Sequence, residues 1–113
     1  MSQFMQIDIR VLPFFEVPFE KRFPHLVELF RRLSHGEVIK KEPSFYELID
    51  TMATLSEHPD TPSELKDLIR PYVANLEKLK EQAREHLLAR RLDDLDKILY
   101  RIEDQFEDLE GAL

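Results

Sequence analysis

Four histidines and a run of carboxylates are the residues of this 113-residue chain whose types could do chemistry. His25, His35, His58 and His86 could hold a metal or move a proton. They stand far apart in sequence, and none has a glutamate three residues before it. The Glu-x-x-His pairs that di-metal sites project into a four-helix bundle are therefore missing. A lone histidine beside a helix end is ordinarily a surface or capping group, so no metal ligand and no cofactor is assigned. Glu103 with Asp104, and Glu107 with Asp108, are paired carboxylates. Recurring every four residues, they read as one solvated helix face, whereas acid–base catalysis needs carboxyls in divergent environments within a cleft. The two glycines, Gly36 and Gly111, leave no phosphate-cradling loop and no nucleophile elbow. With no cysteine there is no thiolate nucleophile, thiolate-bound metal or disulfide framework. No catalytic residue is assigned, and the chain reads as a non-enzyme.

What remains is contact surface, and the last stretch of the chain sets it out. Leu92, Leu95, Leu99, Ile102, Phe106, Leu109 and Leu113 recur in alternating steps of three and four, the seam of a helix packing lengthwise on another helix. So narrow a stripe on an otherwise charged helix requires a covering surface. Leu95, Leu99, Ile102, Phe106 and Leu109 are accordingly the candidate seam, whether for a helix of the same chain or for a second copy. Residues 93–113 carry eight acids against two bases, which is nearly the whole excess behind the net charge of −7. An acidic field disfavours nucleic acid and anionic membranes as partners. The basic pairs Arg31 with Arg32, Lys40 with Lys41, and Arg90 with Arg91 are too small, and too bare of flanking aromatics, to outweigh it. The acids Glu103, Glu107 and Asp108 can instead form a charged rim that selects a partner.

The beginning of the chain is unlike the rest. Ile7, Ile9 and Val11 alternate with Asp8 and Arg10, the period of a strand with one covered face, yet no second strand follows. Pro13, Pro18 and Pro24 hold the chain extended. Five of the eight phenylalanines, Phe4, Phe14, Phe15, Phe19 and Phe23, fall in the first 23 residues. Two readings fit this arm. Its rings fold back to complete the core, each stabilising by roughly 2–3 kcal/mol when buried; or the arm lies on another chain, with Phe14, Phe15 and Phe19 as apolar anchors.

The helices between have clear punctuation. Pro24 suits a first turn, with Leu26, Leu29, Phe30 and Leu33 on one face and Gly36 as a stop. Ser44 and Glu47 form a capping box before Phe45, Leu48, Ile49, Met52 and Leu55. Thr61, Pro62 and Glu64 have the pattern of N-cap, first position and third position of another helix. Pro71 predicts a kink or short break near residues 69–71. From residue 72 to 110 the pattern fits one long helix or two. Bases at Arg90 and Arg91 followed by acids at Asp93, Asp94 and Asp96 favour two, because each macrodipole prefers that sign at that end; Asp93 is then the cap of the second.

The expected fold is all-α: a small helical bundle over residues 24–113 with a C-terminal antiparallel helical hairpin (or one long helix), preceded by an extended Phe/Pro-rich arm over residues 1–23. No stretch is apolar enough for a membrane span and none reads as a signal peptide, so the expected location is the cytoplasm. The expected function is a non-catalytic interaction module, an accessory subunit, adaptor or assembly chaperone that docks on a larger protein. The alternatives are a self-associating helical homodimer and a small helical enzyme or metal-binding bundle.

Overall fold

A computed structural model describes residues 4–5, 8–33 and 43–113. Among the described residues the structure is all-helical, with no strand. The helices are α1 (Phe19–Arg22), α2 (Pro24–Arg32), α3 (Phe45–Glu57), α4 (Ser63–Leu88) and α5 (Leu92–Ala112). Helix α4 is central, packing along α3 on one side and α5 on the other, while α2 closes on α5. At about 1.5 Å per residue the 26 residues of α4 make a rod of about 39 Å. This rod explains an elongated molecule of 53 × 25 × 23 Å, whose radius of gyration of 15.7 Å exceeds the roughly 13 Å of a compact chain this long.

Residues 72–110 form two helices, and the reversal sits where the charge pattern changes sign. The Arg91 N–H donates to the His86 carbonyl at 2.9 Å and the Arg90 N–H to the Leu87 carbonyl at 3.1 Å, the paired bonds of a Schellman ending. Such an ending places one residue in the left-handed region, and here it is Arg90, at φ 59°. An L side chain is strained there by roughly 1–2 kcal/mol and glycine is not. Arg90→Gly should therefore raise the unfolding free energy by about 0.5–1 kcal/mol, after the loss of chain entropy, and the urea midpoint with it. A lower midpoint in urea unfolding would show that the Arg90 side chain stabilises the turn. The cap of α5 is Arg91 rather than Asp93. Asp93 and Asp94 occupy the first turn, and no side chain caps its N–H groups.

The buried stripe of α5 is Leu95, Ile98, Ile102, Phe106 and Leu109, with Leu99 half-buried and Leu92 exposed. Ile98 is buried as well, so the covered stripe of α5 is wider than the seam of threes and fours. Opposite it, α4 buries Ile69, Val73, Leu76 and Ala83. Pro71 does not break α4, which is assigned without interruption from Ser63 to Leu88. Pro71 and Asp67, whose carbonyl loses its N–H partner, both lie on the exposed side. Water can satisfy that carbonyl, while Ile69, Val73 and Leu76 hold the inner face. The α4 cap also differs from expectation. Pro62 holds the cap position and Thr61 is buried one residue earlier, its N–H donating to the His58 carbonyl at 3.2 Å. Ser44 does occupy the cap position of α3, without a side-chain cap bond. Helix α2 starts at Pro24 and ends at Arg32; the expected stop at Gly36 lies outside the described residues.

The arm folds onto its own chain. Residues 8–15 have no regular secondary structure, yet their alternation survives: Ile9, Val11 and Phe15 are half-covered while Asp8, Arg10, Leu12 and Phe14 are exposed. Ile7 lies outside the described residues. The covered face rests on helices and not on a sheet, so the period of two appears without a strand. The chain then makes one helical turn, α1, after Pro18, a residue suited to precede a helix as well as to forbid one.

Candidate functional site

A knot of phenylalanine rings fixes the arm. Phe15 lies edge-on to Phe19 and to Phe45, each at 5.7 Å between centroids. Phe23 adjoins Phe19 at 5.0 Å, Phe45 at 6.0 Å and Phe106 at 6.5 Å. Phe45 stacks on Phe106 at 4.5 Å. Rings from the arm, α1, α3 and α5 thus meet in one cluster, mostly in the edge-on geometry the aromatic quadrupole prefers. The three expected anchors separate. Phe19 is buried in the core (1% exposed), Phe15 is half-buried in the knot, and Phe14 stands 79% exposed. Only Phe14 of the three is presented to solvent, joined by Leu12 at 69% and Val17 at 50%.

Beside Phe14 lies a cavity of about 210 Å³, bounded by the arm, the start of α3 at Tyr46 and the middle of α5 at Leu99, Ile102 and Glu103. Its walls are mainly apolar side chains, and Glu103 is the one charged residue lining it among the described residues. Burial raises the Glu103 carboxyl above its usual range, and the like charges of Glu107, Asp104 and Asp96 add to the rise. Burial likewise raises the Tyr46 hydroxyl. A carboxyl raised on folding opposes the fold once ionised, so its contribution is best below the unfolded-state range and is lost as pH rises through the folded one. Glu103→Gln should then raise the melting temperature slightly at pH 7, a gain kept small by solvent screening. The gain should vanish toward pH 3, as a pair of melts at each pH would reveal.

The other rim acids have different fates. Glu107 is paired with Arg22 across the α1–α5 contact. Asp108 is exposed on another side, near Asn75, Lys78 and Arg101. The expected self-association seam is covered within the chain: Leu95, Ile102, Phe106 and Leu109 are buried and Leu99 is half-buried. A second copy could reach it only by opening the α4–α5 hairpin.

The histidines serve local geometry. His58 Nδ1 accepts from the Asp60 N–H at 3.1 Å, and His86 Nδ1 accepts from Arg91 Nε at 3.0 Å, bracing the hairpin turn. His25 lies against Glu110, its Nδ1 3.2 Å from the Glu110 carbonyl oxygen. His35 is outside the described residues. Among the described residues no cluster of histidines and carboxylates could hold a metal ion.

Sequence reasoning passed over Glu110. Its carboxylate bridges the start of α2, taking the His25 N–H at 2.7 Å and the Leu26 N–H at 2.8 Å. Leu12 was also absent from the expected contact set, and Leu99, expected on the self-association seam, instead lines the cavity. The period-two alternation of the arm was the signal that could have placed Leu12 on the outward face with Phe14.

No known protein family, curated protein or solved structure matches this chain. No described helix is long and apolar enough to cross a membrane.

Proposed function

We propose that this protein is a non-catalytic interaction module acting in the cytoplasm, an accessory subunit, adaptor or assembly chaperone that docks on a larger protein through its arm. The observation that carries this reading is the pair Leu12 and Phe14, held out in water by an arm whose other face is anchored in the core. Apolar side chains grouped beside a hollow mark contact surfaces more often than scattered ones do. Anchoring through Phe15 adds to the argument, because a pre-positioned side chain loses less freedom when it is captured.

The test places a photo-reactive benzoylphenylalanine at position 14 of the full chain in its native host, with a second variant at Asp67, on the exposed side of α4. Illumination should yield an adduct of discrete mass at position 14 and none at position 67. Phe14→Ala should leave stability within about 0.5 kcal/mol, as expected for an exposed position, while the same partner is no longer retained. Absence of any adduct specific to position 14 would remove the reading.

A further inference from the structure

The hollow beside Phe14 is half of a longer trough. A second depression, bounded by Glu16, Arg22 and Glu107, shares Phe14, Phe15, Phe45 and Glu103 with the first, so the two adjoin along the arm. The trough's floor is aromatic, and among the described residues its charge is mainly negative. Among the described residues that line it, Glu107 of the three carboxylates is taken by the one base, Arg22. Glu16 and Glu103 have no countercharge among the described residues. We infer that the trough receives a basic amphipathic segment of a partner protein, its apolar side chains beside Phe14 and its lysines or arginines against Glu16 and Glu103. This inference rests on the interaction-module reading and specifies the partner's chemistry.

Other occupants fit less well. A purely apolar segment would bury Glu16 and Glu103 further from water without a partner, which is costly for a charge. An acidic segment or a phosphate backbone would add like charge beside Glu16 and Glu103, which have no cation paired to them among the described residues. A second copy docked face to face would bring its own Glu16 and Glu103 against these. A cationic amphipathic helix supplies both missing elements, since one face carries apolar side chains at helical spacing and its flanks carry the charge. The raised Glu103 carboxyl agrees with this, since burial and the like charges of Glu107, Asp104 and Asp96 disfavour its ionised form and an added cation would relieve them.

The experiment uses fluorescence anisotropy with the full chain and a labelled helical peptide of leucine and lysine, its leucines at i, i+3, i+4 and i+7. The comparison peptide has glutamate in place of every lysine. The lysine peptide should bind and the glutamate peptide should not. Phe14→Ala should weaken binding by about tenfold, the effect of truncating a central aromatic anchor. Glu16→Gln combined with Glu103→Gln should weaken it by at least about threefold and flatten its salt dependence. Asp67→Asn should change nothing. Circular dichroism confirms that each variant is folded. Equal binding of both peptides, or a carboxamide double variant indistinguishable from Asp67→Asn, would overturn the inference. So would a concentration-dependent dimer that disappears in Phe14→Ala. If the lysine peptide fails to bind while position 14 still forms its adduct, the basic partner is wrong and the interaction module stands; if both fail, neither survives.

Discussion

Replacing Phe106 with alanine should lower the unfolding free energy by about 3–5 kcal/mol, the range for truncating a buried phenylalanine. The ring is wholly buried and stacks on Phe45 at 4.5 Å. Phe23 stands edge-on to it at 6.5 Å, so the cavity would open where α2, α3 and α5 converge. None of these elements can close the gap alone, because each is held by its own buried residues: Leu26 and Phe30 in α2, Ile49 and Met52 in α3, Ile102 and Leu109 in α5. Domains of this size have only about 5–15 kcal/mol in hand. The alanine variant is therefore expected near the edge of folding, and Phe106→Leu, with a smaller cavity, should remain folded at an intermediate midpoint. Urea denaturation of both measures the effect. A cost below about 1 kcal/mol for alanine would mean that the aromatic knot is not close-packed. Comparison with Phe14→Ala then separates ring from ring, since these two phenylalanines lie 0% and 79% exposed.

The second large effect is expected at Glu110. Helix α2 begins with Pro24, which has no N–H, and the Phe23 N–H is already bonded to the Phe19 carbonyl at 2.8 Å. The next two donors, on His25 and Leu26, have no partner within the helix and are both taken by the Glu110 carboxylate, at 2.7 and 2.8 Å. An anion at this end also complements the helix macrodipole. Glu110→Ala strips both bonds at once, and should cost about 1–2 kcal/mol by analogy with removal of an N-cap side chain. For a domain near this size that is on the order of 5–10 °C in melting temperature. Glu110→Gln should recover part of the loss, having one acceptor oxygen where the carboxylate has two. Amide exchange locates the effect: the His25 and Leu26 amides should lose protection before those in the middle of α4. An unchanged melting temperature would mean that water caps α2 equally well.

What could be read from the residues was mostly local. The faces of α2 and α3 follow from apolar spacing, and the hairpin reversal from bases at Arg90 and Arg91 giving way to acids at Asp93 and Asp94. Both signals act within a turn or two, through side-chain periodicity and helix dipoles. The Glu110 cap left no such trace, because carboxylate and amides lie 84 and 85 residues apart and only the folded chain brings them together. Pro71 misled for a related reason: a proline's cost is local, whereas burial of Ile69, Val73 and Leu76 on the opposite face is tertiary. Phe14, Phe15 and Phe19 looked alike as a string of aromatics. Alternation along the arm and the helical turn at Phe19 send one ring outward, one to the boundary and one into the core. Ile98 was missed because a seam of threes and fours is narrower than the stripe that α5 buries.

The α2–α5 closure also bears on the order of events in folding. Phe23 with Phe106, Arg22 with Glu107, and His25 with Glu110 all join positions more than eighty residues apart in the chain. Contacts between α4 and α5 span a short hairpin turn and can assemble with little loop entropy, whereas the clasp must wait for nearly the whole polypeptide to be gathered. The hairpin is thus expected to form early as a template, and the beginning of the chain to shut over it late as a latch.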